Sequence, residues 1–153
     1  MKRGEQKPVP VPPDTHHRQY IFGAYNWVTD AVCTTLSDHA DTTAFLTFLE
    51  QLLFNTYPDQ PVVLVLDNAS YHKAAAVRAF FSLVEPRVLV IFLPAYCSHL
   101  NPIERFWRFV KDTACANTLF PDFALLMTLV AQLLRQQNDL SCSHRFAFSK
   151  LEL

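Results

Sequence analysis

Val62-Val63-Leu64-Val65-Leu66-Asp67-Asn68-Ala69-Ser70-Tyr71-His72 is the stretch whose reading decides the fold of this chain of 153 residues. Five consecutive branched apolar residues suit a strand buried on both faces, as in a sheet covered by helices. Asp67 then closes that strand at its C-terminal end, where open α/β sheets place ligand chemistry. Working outward, a second apolar run, Val88-Leu89-Val90-Ile91-Phe92-Leu93, leads through Pro94-Ala95-Tyr96-Cys97-Ser98-His99-Leu100 into Asn101-Pro102-Ile103-Glu104. Asn101 is placed to cap a helix, with Pro102 at its first position. Two carboxylates, Asp67 and Glu104, thus fall at the same end of neighbouring elements, an arrangement that suggests a divalent-metal site.

Each acid also has a plainer reading. Asn101-x-x-Glu104 has the spacing of a capping box, in which Glu104 serves only the first helical amide. Glu104 and Arg108 are four apart, a surface pairing worth ~0.2–0.5 kcal/mol. Asp67 followed by Asn68 is also the composition of an ordinary turn. The two acids gain weight only together.

Asp67-Asn68-Ala69-x-x-His72, followed by Leu93-Pro94-x-Tyr96-x-x-x-Leu100-Asn101-Pro102-Ile103-Glu104-x-x-Trp107-x-x-x-Lys111, resembles the second and third parts of a DDE transposase core. The similarity is to the bacterial insertion-sequence branch of the mariner-like superfamily. The 36 residues between Asp67 and Glu104 match the family's spacing, and the resemblance runs from about Lys2 to Gln137. It implies a ribonuclease-H-like α/β fold, a mixed sheet flanked by helices. It also implies that the first catalytic acid lies on a strand upstream of Met1, because a Lys-Arg-Gly-Glu-Gln string like that at residues 2–6 follows this acid in the family. The chain is therefore expected to lack the first, central strand of its sheet, between the hairpin and the strand ending in Asp67. Unpaired ladder groups would cost ~1–3 kcal/mol each if buried, so the chain is expected to fold poorly alone.

Composition sets outer bounds. Half the residues are hydrophobic and 18% are charged, which describes a globular domain rather than a disordered chain. A net charge of −1 carries no overall nucleic-acid signature. No uninterrupted apolar run approaches a membrane span, and no signal peptide opens the chain, which points to the bacterial cytoplasm. Cys33, Cys97, Cys115 and Cys142 form no C-x-x-C pair and read as reduced thiols.

Taken in order, residues 1–18 form a proline-rich, mildly basic lead-in, in which Pro8, Pro10, Pro12 and Pro13 exclude a helix or central strand. A hairpin follows, from Arg18 to Asn26 and from Ala31 to Ser37, around residues 27–30. Asp41 or Thr42 can cap a helix burying Phe45, Phe48, Leu49, Leu52 and Leu53. A helix from about Lys73 to Val84 buries Val77, Phe80, Phe81 and Val84, and Glu85-Pro86 breaks it. Ile103, Phe106, Trp107 and Val110 share one helix face, with Trp107 as core packing, while Glu104, Arg108 and Lys111 lie on another. A last helix from residues 120–122 through Gln137 buries Phe123, Leu126, Met127, Val130, Leu133 and Leu134. The partial catalytic domain is thus expected over residues 19–137, with a tail of unread role at 138–153. Neither a glycine-rich phosphate loop nor a helix-turn-helix reader is present.

The chemistry implied by the resemblance is metal-assisted phosphoryl transfer. Two Mg²⁺ or Mn²⁺ ions ~3.5–4 Å apart would clamp the attacking and leaving oxygens. Asp67 and Glu104 would each hold one ion, with the absent acid between them. Water would hydrolyse a phosphodiester at an element's end, and the freed 3′-hydroxyl would attack target DNA. The partners implied are DNA and further copies of the transposase. Asn68, His72, Asn101 and Lys111 are the candidate supporting or DNA-contacting residues, and Tyr96 and His99 flank the site. Without the first acid, this chain is expected to be inactive alone. Asp14, Asp30, Asp38 and Asp41 are poor substitutes, because none ends an apolar strand. A second possibility is a non-catalytic remnant that binds DNA or an intact transposase and regulates it.

Overall fold

The computed structural model describes residues 18–95, 100–115, 120 and 122–138. Strands β1 (Tyr20–Asn26) and β2 (Ala31–Ser37) form an antiparallel hairpin in which Gly23 stands opposite Thr34. Its turn is closed by the Asn26 side chain, which accepts from the Val28 and Thr29 amides at 3.0 and 3.3 Å. Asp30 completes it at φ 55°, a left-handed conformation that aspartate tolerates better than most residues.

Helix α1 (Thr42–Glu50) starts where Asp41 accepts the Ala44 amide at 2.9 Å, and it runs on as a π-helical segment, Gln51–Thr56. Its apolar face is the expected one: Phe45, Phe48, Leu49, Leu52 and Leu53 are all buried. Each such side chain contributes ~1.5–3 kcal/mol of transfer free energy. Strand β3 (Val62–Leu66) pairs in parallel with β4 (Val88–Phe92), Leu64 lying opposite Val90. The crossover between them is a 3₁₀ turn, Ser70–Lys73, followed by α2 (Ala75–Val84). Arg87 fastens the base of this unit, donating to the carbonyls of Tyr57 at 2.7 Å, Leu53 at 3.0 Å and Gln60 at 3.4 Å. Helices α3 (Ile103–Cys115) and α4 (Phe123–Asn138) follow, and Asp122 caps α4 by accepting the Leu125 amide at 2.7 Å. The element order and the mixture of antiparallel and parallel pairing are those of an α/β, ribonuclease-H-like fold.

Two cores lie on opposite sides of β1. Phe22 joins α1, α2 and the inner face of β3 and β4 in the first. Ile21 and Tyr25, pointing the other way, join α3 and α4 in the second, whose centre is the fully buried Phe106. Alternation along one strand therefore feeds both hydrophobic clusters.

Among the described residues the strands form two separate sheets of two strands, β1 with β2 and β3 with β4. Two expectations need correction. β3 was expected to be buried on both faces, yet only one face is covered: Leu64 is 8% exposed, against 61% for Val63 and 43% for Val65. β4 repeats the pattern with exposed Leu89 and Ile91. The reason is that α3 packs on β1 and α4 on β2, so these helices do not cover β3 and β4. Finally, Phe80, Phe81 and Trp107, read as buried, are only partly so, as are Phe123, Leu126 and Met127 of α4.

Candidate active site

Asp67 leaves the C-terminal end of β3 and enters a tight turn. Its Oδ1 accepts the Ala69 amide at 3.0 Å and lies 2.9 Å from His72 Nδ1. The same imidazole nitrogen is 3.2 Å from the Asp67 carbonyl oxygen. Both partners only accept, so Nδ1 carries the hydrogen and donates. His72 is itself buried and packs on Phe45 with ring centroids 4.3 Å apart. The chain thus aims Asp67 with a side chain that the first core holds in place. Among the described residues both bonds to this carboxyl go to Oδ1, and Oδ2 stays available to a ligand.

Glu104 arrives from the start of α3. Asn101 shapes that start: its Oδ1 accepts the Ile103 amide at 3.4 Å and its carbonyl accepts the Glu104 amide at 3.0 Å. Ile103 and Phe106 are buried beneath, which leaves Glu104 and Arg105 exposed on the outer side. Asp67, His72, Asn101 and Glu104 then line one cavity of about 410 Å³, between β1, β3, α1 and the start of α3.

The other candidates lie elsewhere. Asn68 donates to the Leu93 carbonyl at 2.6 Å, which ties the loop after β3 to the end of β4. Lys111 is exposed on α3 two turns beyond Glu104 and does not line the cavity. Tyr96 and His99 lie outside the described residues, as does Asp14. Asp30 and Asp41 are engaged in the hairpin turn and the α1 cap, and neither they nor Asp38 line the cavity.

Two residues of the site were not legible as such in the sequence. Tyr71 lines the cavity next to Asp67, and its hydroxyl is held above the ordinary value of 10.0 by burial and, secondarily, by the Asp67 carboxylate. Trp107 also lines the cavity and sits against Gly23, where a Cβ would meet its ring at 2.7 Å. Gly23 within a strand run was the available signal, since glycine there marks a close approach.

In kind, the donors suit a hard divalent cation, because carboxylate oxygens match Mg²⁺ or Mn²⁺ without sulfur or imidazole. In number they fall short. Among the described residues no three acidic, histidine or cysteine side chains come together in a way that could hold a metal ion. Two acids do not make a two-ion site.

An acid closing a strand that is covered on one face and a second acid opening a nearby helix thus share one cavity on an α/β, ribonuclease-H-like fold. The chain belongs to the family described as DDE superfamily endonuclease, whose model matches residues 1–126. It is similar to the insertion element IS630 uncharacterized 39 kDa protein of Shigella sonnei, with 28% identity over 75% of this chain and 33% of that protein. It is likewise similar to the uncharacterized protein y4pE/y4sA of Sinorhizobium fredii, with 28% identity over 71% of this chain and 77% of that one. The chain thus spans about a third of the length of the first relative and three quarters of the second. Families of this kind use divalent metal ions and act on DNA. Among the described residues no helix is long and apolar enough to cross a membrane.

Proposed function

We propose that this chain forms part of the catalytic domain of a DNA transposase, with Asp67 and Glu104 as two of its metal-holding acids. The observation that carries the reading is that these two residues, with 36 others between them in sequence, line the same cavity. A bound Mg²⁺ or Mn²⁺ would supply charge for the phosphate oxygens and an activated attacking oxygen. Around it, His72 holds the Asp67 carboxylate in one orientation and Asn101 sets the helix start from which Glu104 projects. Tyr71 presents a hydroxyl that stays protonated and so can donate to a phosphate oxygen. The two carboxylates that line the cavity among the described residues are one short of the three the resemblance implies, which supports reading this chain as inactive by itself. That shortfall favours a second reading for the isolated chain, a binding partner of DNA or of an intact transposase.

The test uses the aromatic wall of the site. Tb³⁺ bound by Asp67 and Glu104 is excited through Trp107, which lines the same cavity, and added Mn²⁺ displaces it. The expected result is sensitised emission that Asp67→Asn or Glu104→Gln each removes. Emission unchanged in both variants rejects the site. Nicking of supercoiled plasmid by the chain alone in Mg²⁺ or Mn²⁺ overturns its assignment as inactive alone.

A further inference from the structure

The parallel pairing of β3 with β4 follows a fixed alternation. At its start the Val62 amide donates to the Arg87 carbonyl at 2.9 Å, and at its end the Leu93 amide donates to the Leu66 carbonyl at 2.8 Å. Residues 62, 64 and 66 therefore turn their backbone groups toward β4, and the next rung would run from the amide of residue 68 to the Leu93 carbonyl. That carbonyl is instead taken by the Asn68 side chain, whose Nδ2 donates to it at 2.6 Å. A side chain has replaced the backbone in the last rung.

The backbone has a different task at this point. Asp67 Oδ1 accepts the Ala69 amide at 3.0 Å, and the Ala69 carbonyl accepts the His72 amide at 3.1 Å, so the chain turns directly after Leu66. A backbone rung at residue 68 would draw Asp67 and Asn68 on along β4 and away from that turn. The acceptor is prepared by its own neighbour. Pro94 follows Leu93, and a residue before proline is confined to extended conformations, which keeps the Leu93 carbonyl in line with the ladder. Asn68 itself is exposed and does not line the cavity that Asp67, Tyr71 and His72 share.

We propose that Asn68 is a positioning residue for Asp67. Its carboxamide stands in for its own backbone amide, tying the chain to β4 one residue beyond the acid while leaving the backbone free to turn. Asp67 is thereby held between two fixed points, Leu66 in the strand and Asn68 on Leu93, and its carboxylate enters the cavity at one place. The role asks for a donor on a single-methylene stem. Alanine has no donor, and an ionised aspartate of the same shape presents only oxygens to a carbonyl oxygen. The bond also engages Nδ2, the atom that a phosphate contact would use. The effect on a bound ion rests on the reading of Asp67 as a metal-holding acid, whereas the tie to Leu93 does not.

The test therefore has a metal-free arm and a metal arm, both on the full chain. Without metal, amide hydrogen exchange is read residue by residue by NMR. In Asn68→Ala and in Asn68→Asp the Leu93 and Ala69 amides are expected to exchange about fivefold faster or more, beyond any change in urea stability. Asn68→Asp is read only without metal, because its added charge would itself draw a cation. With Tb³⁺ excited through Trp107, Asn68→Ala is expected to bind about tenfold more weakly at unchanged maximal emission, as when a group that orients a metal ligand is lost. A bond that served folding alone would lower the maximal emission and leave the affinity as it was. Emission that is absent from the parent, or that survives Asp67→Asn, removes the metal reading and leaves Asn68 to be judged by exchange alone. Unchanged exchange at Leu93 and Ala69 in both variants overturns the proposal, as does a Tb³⁺ affinity of Asn68→Ala within about twofold of the parent. Weaker binding of a short DNA duplex by Asn68→Ala, with exchange unchanged, makes Asn68 a DNA contact and overturns it too.

Discussion

Replacing Gly23 by alanine isolates the contact that joins β1 to the helix carrying Glu104. In a strand interior, alanine is favoured over glycine by about 0.5–1 kcal/mol, because glycine loses more backbone freedom on folding. Tertiary packing opposes this. The new methyl carbon would lie 2.7 Å from both Cη2 and Cζ2 of Trp107, and 3.2 Å from Ile103 Cδ1. Carbon atoms pack at ~3.5–4.0 Å, so the indole ring must retreat by about 0.8 Å or the helix must shift. Overpacking of this kind costs ~1–3 kcal/mol. Gly23→Ala is thus expected to destabilise the chain by about 0.5–2 kcal/mol. In a Trp107→Leu background the ring atoms are gone, the strand preference remains, and the same change is expected to stabilise by up to ~1 kcal/mol. Urea unfolding of the four proteins, followed by far-ultraviolet circular dichroism, completes the cycle. If Gly23→Ala has the same effect in both backgrounds within about 0.3 kcal/mol, the two residues are not coupled and the packing argument fails.

Arg87→Met keeps an apolar stem beside Phe54 but removes the donors to three carbonyls, and it is expected to cost ~2–3 kcal/mol. A fall in urea midpoint at constant slope is the readout, and a loss below ~0.5 kcal/mol contradicts the role given to this side chain. Cys33 is buried, and burial lifts its thiol above the ordinary 9.0 despite contacts with Thr56 and Gln51 that act the other way. The unfolded chain therefore loses this proton first, so stability falls as pH rises from 9.0 through the raised value. Iodoacetamide at pH 8, with modified sites mapped by peptide mass, is expected to label Cys33 only after unfolding. Rapid labelling in the native state refutes its burial.

The candidate site was readable from local sequence to an unusual degree. Asp67 ends an apolar run and Asn101-Pro102 opens a helix, so both acids could be placed on their elements without knowing the fold. The face of α1 was equally plain, because Phe45, Phe48, Leu49, Leu52 and Leu53 repeat at helical spacing and all point into one core. His72 could not be assigned in that way. A histidine five residues after an aspartate has no fixed geometry until the turn between them brings Nδ1 to 2.9 Å from Oδ1.

What the sequence determined alone is whatever depends on neighbours along the chain: the order of strands and helices, their caps and breaks, and the two acids at element ends. Tertiary structure decided which apolar face meets which. Val63 and Val65 have the same chemistry as Leu64, yet they are exposed because α3 and α4 went to β1 and β2. It also decided that β1 and β3 both line the cavity of the two acids, with Trp107 seated on Gly23 at its side. The physical reason is that burial is a property of pairs. A residue's own hydrophobicity says that it gains by leaving water, and only the assembled chain says whether a partner is there to receive it.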